Sequence, residues 1–191
     1  MKKVLISAVA FVLIIGVAGC GNKEITTPQT PTQVVVPQNK ATEPDSIASK
    51  ALNATYNIES KPFTLVNGKS EIQAAPGSAT KITTRVLDEP VIGDLKGDKI
   101  NDAALILIQN PGGSGTFSRV AAYVSTKEGM YISTNTISLG DRLKFEHITI
   151  KNGNIIVNYL DRKEKESMAT EPSVAITRTF FIEGATLTEK K

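Results

Sequence analysis

Three aspartates, Asp94, Asp98 and Asp102, recur at four-residue spacing in VIGDLKGDKINDAA, residues 91–104. Carboxylates grouped this closely can hold calcium, which draws about six to eight oxygen ligands from alternate positions of a turn. Lys96, however, stands where a further oxygen donor is expected. An ammonium there neutralises Asp94 and Asp98 as a cation would. The segment therefore reads first as a metal-free turn held by Lys–Asp pairing and Asx hydrogen bonds. Calcium at Asp94, Asp98 and Asp102, with Asn101 lending a carbonyl, is the weaker reading and the only cofactor the sequence offers.

A second stretch, Pro111-Gly112-Gly113-Ser114-Gly115-Thr116, concentrates three glycines in a tight loop that needs unusual backbone angles. Exposed amides in such a loop can cradle an anion, so Gly112, Gly113, Ser114 and Gly115 are candidate ligand contacts. A serine nucleophile elbow, G-x-S-x-G, would require glycine at 116, where Thr116 stands. In Leu139-Gly140-Asp141-Arg142, Asp141 and Arg142 set a carboxylate and a guanidinium side by side at a strand boundary. They read as an ion pair or Asx turn and as further candidate ligand contacts. His147 is the sole histidine, and zinc would want two or three such ligands. Gly68-Lys69-Ser70 lacks the earlier glycine of a P-loop, because position 63 is Phe63. No residue is assigned a catalytic role.

The elements that must position these residues read as mainly β. Asp45 or Ser46 caps a short helix in IASKALNAT. KPFTLVNGKSEIQA reads as two strands about the hairpin dipeptide Asn67-Gly68. ITTRVLDEPVIGDL is extended and interrupted at Pro90, and DAALILIQ is an unbroken apolar run suited to a strand covered on both faces. FSRVAAYVST and MYISTNTISL flank a turn at Lys127-Glu128-Gly129, and RLKFEHITI and NIIVNYL flank one at Lys151-Asn152-Gly153. VAITRTFFIEG places Ile176, Arg178, Phe180 and Ile182 on one face, and 161–173 is a charged loop. Consecutive hairpins predict an antiparallel meander, as a sandwich or a partly closed barrel, with one short N-terminal helix.

Lys2 and Lys3 precede an apolar run, Val4 to Ile15, shorter than the roughly 18–20 residues a spanning helix needs. It ends in Val17-Ala18-Gly19-Cys20, with Cys20 the only cysteine. This segment resembles the lipobox of bacterial lipoproteins. The resemblance implies cleavage before Cys20, diacylglycerol on its thiol and, usually, acylation of the new amine. Two or three acyl chains make a durable membrane anchor. The absence of aspartate after the cysteine, where Gly21 stands, favours delivery to an outer membrane facing the periplasm if the organism is Gram-negative. Residues 1–19 are then a lipoprotein signal peptide, 20–45 a lipidated cysteine with a disordered Pro/Thr/Gln-rich tether, and 46–191 one β-rich domain.

Removing residues 1–19 takes away two of the 22 basic residues and leaves 20 against 19 acidic ones. That near-neutral balance argues against a nucleic-acid partner. With no tryptophan and few other aromatics, base-stacking platforms and aromatic sugar-binding strips are not expected either.

The aspartate loop is similar to the GDxxGDxxxD loops of FG-GAP-type calcium sites. The domain, over about 52–187, resembles a group of bacterial lipoproteins and envelope proteins. The shared segments are Asn53-Ala54-Thr55-Tyr56, Val66-Asn67-Gly68, GDLxGDxxxDAA from Gly93 to Ala104, PGGSGTF from Pro111 to Phe117, and Leu139-Gly140-Asp141-Arg142. The resemblance implies a recurring exported domain and no substrate. The chain departs from the group at Lys96, where aspartate or asparagine is common, which weakens the metal reading again. The expectation is a lipid-anchored cell-envelope protein with a non-enzymatic binding module. Its partners would be the membrane, through the lipid, and an envelope protein or polymer. The binding surface would comprise the Gly93–Phe117 loops and the Gly140–Arg142 turn. An envelope-polymer hydrolase, needing Asp98 or Asp102 beside His147, and a lysozyme-inhibitor-like protein are the alternatives.

Overall fold

A computed structural model describes residues 46–191. The expected signal segment, Cys20 and the tether lie outside the described residues. The described chain holds one helix, α1 (Ile47–Ala51), then β1 (Thr55–Ile58), β2 (Lys61–Thr64), β3 (Lys69–Gln73), β4 (Lys81–Val86), β5 (Val91–Gly93) and β6 (Asp102–Asn110). It continues through β7 (Phe117–Ser125), β8 (Tyr131–Ser133), β9 (Ile137–Asp141), β10 (Lys144–Lys151), β11 (Asn154–Asp161), β12 (Val174–Glu183) and β13 (Thr186–Glu189). The fold is mainly β and antiparallel, as the sequence predicts.

Two sheets face each other. The larger is centred on the β6–β7 hairpin: β4 and β5 share one edge of β6, and β8 and β9 share the opposite edge of β7, with β3 outside β4. The smaller is the meander β10-β11-β12-β13. Ile106, Val120 and Val124 from the larger sheet meet Ile155, Val157, Tyr159 and Phe180 from the smaller in one core. The reverse faces of β6 and β7 present Ala103, Leu105, Leu107 and Ala121 to a second core, completed by Ala51 of α1 and by Tyr56 and Phe63 of the β1–β2 hairpin. β6 is thus buried on both sides from Asp102 to Ile108, which is why its run lacks the alternation of a half-exposed strand.

One seam between the sheets is drawn together where β5 meets β10: a Cβ on Gly93 would lie 2.9 Å from Ile150 Cγ2. The described residues therefore form a sandwich, partly closed along that side.

Three local expectations change. The helix is shorter than predicted, because Thr55 already opens a strand; Ser46 caps it, its side chain accepting from the Ser49 amide at 3.1 Å. Asn67-Gly68 makes the predicted two-residue turn, with both φ positive and Val66 bridged antiparallel to Lys69, but the pairing stops at that bridge. β2 pairs with β1, and β3 with β4, so the turn hands the chain from one layer to another. The hairpin itself turns at Glu59-Ser60, both with positive φ despite being neither glycine nor asparagine. MYISTNTISL divides into β8 and β9, since Thr134 turns inward to bond the Ala122 backbone across β7.

Candidate functional site

The aspartate loop is closed by its own backbone. Asp94 accepts from the amides of Lys96, Gly97, Asp98 and Lys99, at 3.1, 2.7, 3.3 and 2.8 Å. These bonds, led by the one from Lys99, hold its carboxyl below the usual carboxylate range. Asp98 takes the Lys96 ammonium at 2.9 Å and the Ile100 amide at 3.0 Å, and its carboxyl is likewise held down, first by Lys96. The same ammonium donates to the Ser125 carbonyl. Asp102 is fully buried. It accepts from the Leu95 amide at 3.0 Å, the Ser125 amide at 2.8 Å and the Ser125 hydroxyl at 3.1 Å.

Both oxygens of Asp94 and both of Asp102 therefore already serve protein donors, and the only cation among the three carboxylates is Lys96. In this arrangement the charge on Asp98 is met by the Lys96 ammonium, and the charges on Asp94 and Asp102 by amides.

The glycine loop lies at the opposite end of β6. A nine-residue strand separates the two loops by roughly 27 Å. The expected single surface spanning Gly93–Phe117 is therefore corrected to two separate sites. Nor are the hydrolase residues gathered. His147 faces outward from β10 and pairs with Asn158 at 2.8 Å, whereas Asp102 is buried in the larger sheet and Asp98 sits in the loop before it.

The glycine loop and the Asp141–Arg142 turn do come together. Asp141 Oδ1 accepts from the Thr116 amide at 2.7 Å, and the Arg142 amide donates to the Thr116 carbonyl at 2.8 Å. The guanidinium of Arg142 folds back onto Asp141 Oδ2, with Nε at 3.1 Å and Nη2 at 3.0 Å. Arg162, from the charged loop, donates to the Arg142 carbonyl at 3.0 Å. Arg142 itself has φ +51°, a left-handed conformation uncommon outside glycine, asparagine and aspartate.

The four loop candidates separate by role. Gly112 is structural: φ is +92° and a Cβ there would lie 2.2 Å from Thr80 Cγ2. Its amide is used by Asn110 Oδ1 at 2.8 Å. Gly115 has Phe117 against it, 2.7 Å from an added Cβ. Gly113 and Ser114 are exposed, and no hydrogen bond among the described residues occupies their amides or that of Gly115.

Sequence reading missed the residue that joins the layers. Asn135, between β8 and β9, donates through Nδ2 to the Leu187 carbonyl at 3.1 Å and accepts the Leu187 amide on Oδ1 at 2.8 Å. Its backbone bridges to Asn57, and Thr136 Oγ1 donates to the Asn57 carbonyl at 2.9 Å. A lone asparagine in a strand–turn–strand segment carries no signal for this contact, because its partner lies 52 residues away.

Compared with protein-family models, curated proteins and solved structures, the chain finds no match.

Proposed function

We propose that the chain is a lipid-anchored bacterial cell-envelope protein. Its β-rich domain is a non-enzymatic binding module whose contact surface is Gly113–Gly115 with the Asp141–Arg142 turn. The address rests on the lipobox-like VAGC and on the apolar run before it. The contact surface rests on Arg142: a non-glycine residue held left-handed by hydrogen bonds from three directions, beside small exposed residues with uncommitted amides. Strain of this kind costs on the order of 1–3 kcal/mol and persists only where surrounding structure enforces it. The uncommitted Gly113–Gly115 amides next to the Asp141–Arg142 ion pair are the donors this reading assigns to an envelope partner.

Two observations favour binding over hydrolysis. Asp94, Asp98, Glu171 and Glu189 are all shifted downward by amides or by Lys96, Lys144 and Arg178. A general acid needs the reverse shift. In addition, the carboxylates and His147 that a hydrolase would recruit point into different parts of the molecule.

Two experiments test the proposal. Cys20→Ser should abolish incorporation of radiolabelled palmitate and release the chain from membranes; labelling that persists refutes Cys20 as the anchor. A photocrosslinker at position 114 in intact cells should give a discrete adduct that Arg142→Ala weakens. No adduct, or one indifferent to Arg142, refutes the contact surface.

A further inference from the structure

Two asparagine–glycine steps, Asn67-Gly68 and Asn152-Gly153, form two-residue turns in which all four residues have positive φ. This dipeptide carries a chemistry of its own. The glycine nitrogen can attack the asparagine side-chain carbonyl carbon, because glycine has no Cβ to block the approach. The attack requires the linkage between the two residues to rotate out of its turn conformation. Which of the two reacts is therefore decided by what holds each turn shut.

Asn67-Gly68 is pinned by other parts of the chain. The Gly68 amide donates to the Leu52 carbonyl at 2.8 Å, and the Val86 amide donates to the Gly68 carbonyl at 2.8 Å. The Asn67 amide donates to Asn53 Oδ1 at 3.0 Å. Gly68 is also buried, with Leu52 Cδ2 3.0 Å from where a Cβ would stand. Opening this turn breaks its bonds to the segment after α1 and to the end of β4.

Asn152-Gly153 is held far less. It closes the β10–β11 hairpin, where Lys151 pairs with Asn154, and Asn152 is exposed. Among the described residues no hydrogen bond occupies the Gly153 amide or the Asn152 side chain. The bond that does reach this turn is local, from Asn154 Nδ2 to the Asn152 carbonyl at 2.7 Å. The Leu95 carbonyl stands beside Gly153, 3.4 Å from an added Cβ, as a neighbour and not as a hydrogen-bond partner.

We propose that Asn152 is a site of spontaneous deamidation in the folded protein and that the fold shields Asn67 from the same reaction. The Gly153 nitrogen, giving up its proton to water, bonds to Asn152 Cγ. The Cγ–Nδ2 bond breaks and ammonia leaves, having gained a proton. Water, the one co-reactant, then opens the resulting cyclic imide. Breaking its bond from nitrogen to Cγ leaves aspartate in the original main chain. Breaking its bond from nitrogen to the main-chain carbonyl carbon leaves isoaspartate, whose chain runs through Cγ beside a free α-carboxylate. No atom is oxidised or reduced.

The two products differ in what they do to the fold. Aspartate tolerates a left-handed conformation and leaves the turn in place, adding only a charge. Isoaspartate adds a methylene to the main chain of a turn whose two-residue length sets the hairpin register. That turn follows closely on Ile150, the residue against which Gly93 draws the β5–β10 seam together. The isoaspartyl chain therefore loosens the end of the hairpin and, with it, the seam. None of this depends on the address or the contact surface proposed above.

The test warms the full chain, purified in mild detergent, in mildly alkaline buffer and follows both asparagines by peptide mapping, with electron-transfer fragmentation to separate aspartate from isoaspartate. In the folded chain Asn152 should convert about tenfold faster than Asn67, the factor expected when two more backbone bonds must open at Gly68. In urea the two should convert at the same rate, since the dipeptides are identical. Asn67 converting as fast as Asn152 in the folded chain would overturn the inference. So would an intact Asn152 in the folded chain beside conversion of both in urea, or a difference that persists in urea. Amide exchange at Gly93 and Ile150 should accelerate in the isoaspartyl fraction and stay at the parent rate in Asn152→Asp. Parent-like exchange in the isoaspartyl fraction would overturn the link to the seam.

Discussion

Replacing Asp102 tests most directly whether the aspartate segment is an internal staple or a metal site. Its carboxylate is fully buried and joins the Leu95 amide, in the loop before β6, to Ser125 at the end of β7. Asp102→Ala strands two buried backbone donors, each at about 1–3 kcal/mol, for a loss of roughly 4 kcal/mol in all. That is a large part of the ~5–15 kcal/mol that stabilises a typical domain. At about 2–4 °C per kcal/mol for a domain near this size, the melting temperature should fall by roughly 10–15 °C. Asp102→Asn keeps the shape but turns an NH2 toward one donor, so it should cost about 2–3 kcal/mol. Ser125→Ala loses only the hydroxyl bond, about 1 kcal/mol. Differential scanning calorimetry with and without millimolar calcium reads all three. Asp102→Ala melting within about 3 °C of the parent would refute the staple. Calcium raising the parent's melting temperature, with the rise lost in Asp102→Asn, would refute the metal-free reading.

Asn135→Ala removes both bonds to Leu187 and should destabilise the fold by about 1–3 kcal/mol, with hydrogen exchange accelerated first at Leu187 and its β13 neighbours. Gly112→Ala meets Thr80 Cγ2 and an unfavourable φ; it should cost upwards of about 1 kcal/mol, and Thr80→Ala in the same chain should restore part of it in urea titrations. The aspartate loop should also respond to acid. Asp94 and Asp98 have folded-state pKa values below their unfolded ones. Their stabilisation is thus complete above the unfolded carboxylate range, about pH 4. It declines as pH drops and is gone only once pH has passed below the lowered folded values. Amide exchange at Gly97 and Lys99 between neutral pH and about pH 3 follows this; equal protection throughout would contradict it.

Much of the architecture was written in local pattern. The two-sided burial of β6 follows from DAALILIQ, and the Asn152-Gly153 turn with both φ values positive follows from its dipeptide. Lys96 as an internal counter-ion was readable from charge alone. Pairing partners were not: Asn67-Gly68 closes its turn with a single Val66–Lys69 bridge, yet beyond it β2 runs along β1, with Tyr56 and Phe63 buried against β6 and β7, and β3 runs along β4. The separation of the two loops was available from strand length, because nine extended residues cannot leave their ends adjacent. What no pattern conveys is long-range side-chain bonding. Asn135 to Leu187 and Thr116 to Asp141 join segments whose closeness is decided by the whole sheet order.

The ribbon shared by both cores also dictates when this domain can form. Ala103 to Ile108 needs cover from segments on either side of it in the chain: α1 and the first hairpin, made earlier, and β11 to β13, made last. As the polypeptide emerges from its ribosome, the β6–β7 hairpin can close early across its short loop. It then remains a bare apolar strip until the final forty residues or so arrive. Loss of the C-terminus would therefore strand that strip permanently uncovered, a ready seed for aggregation in place of a smaller functional domain.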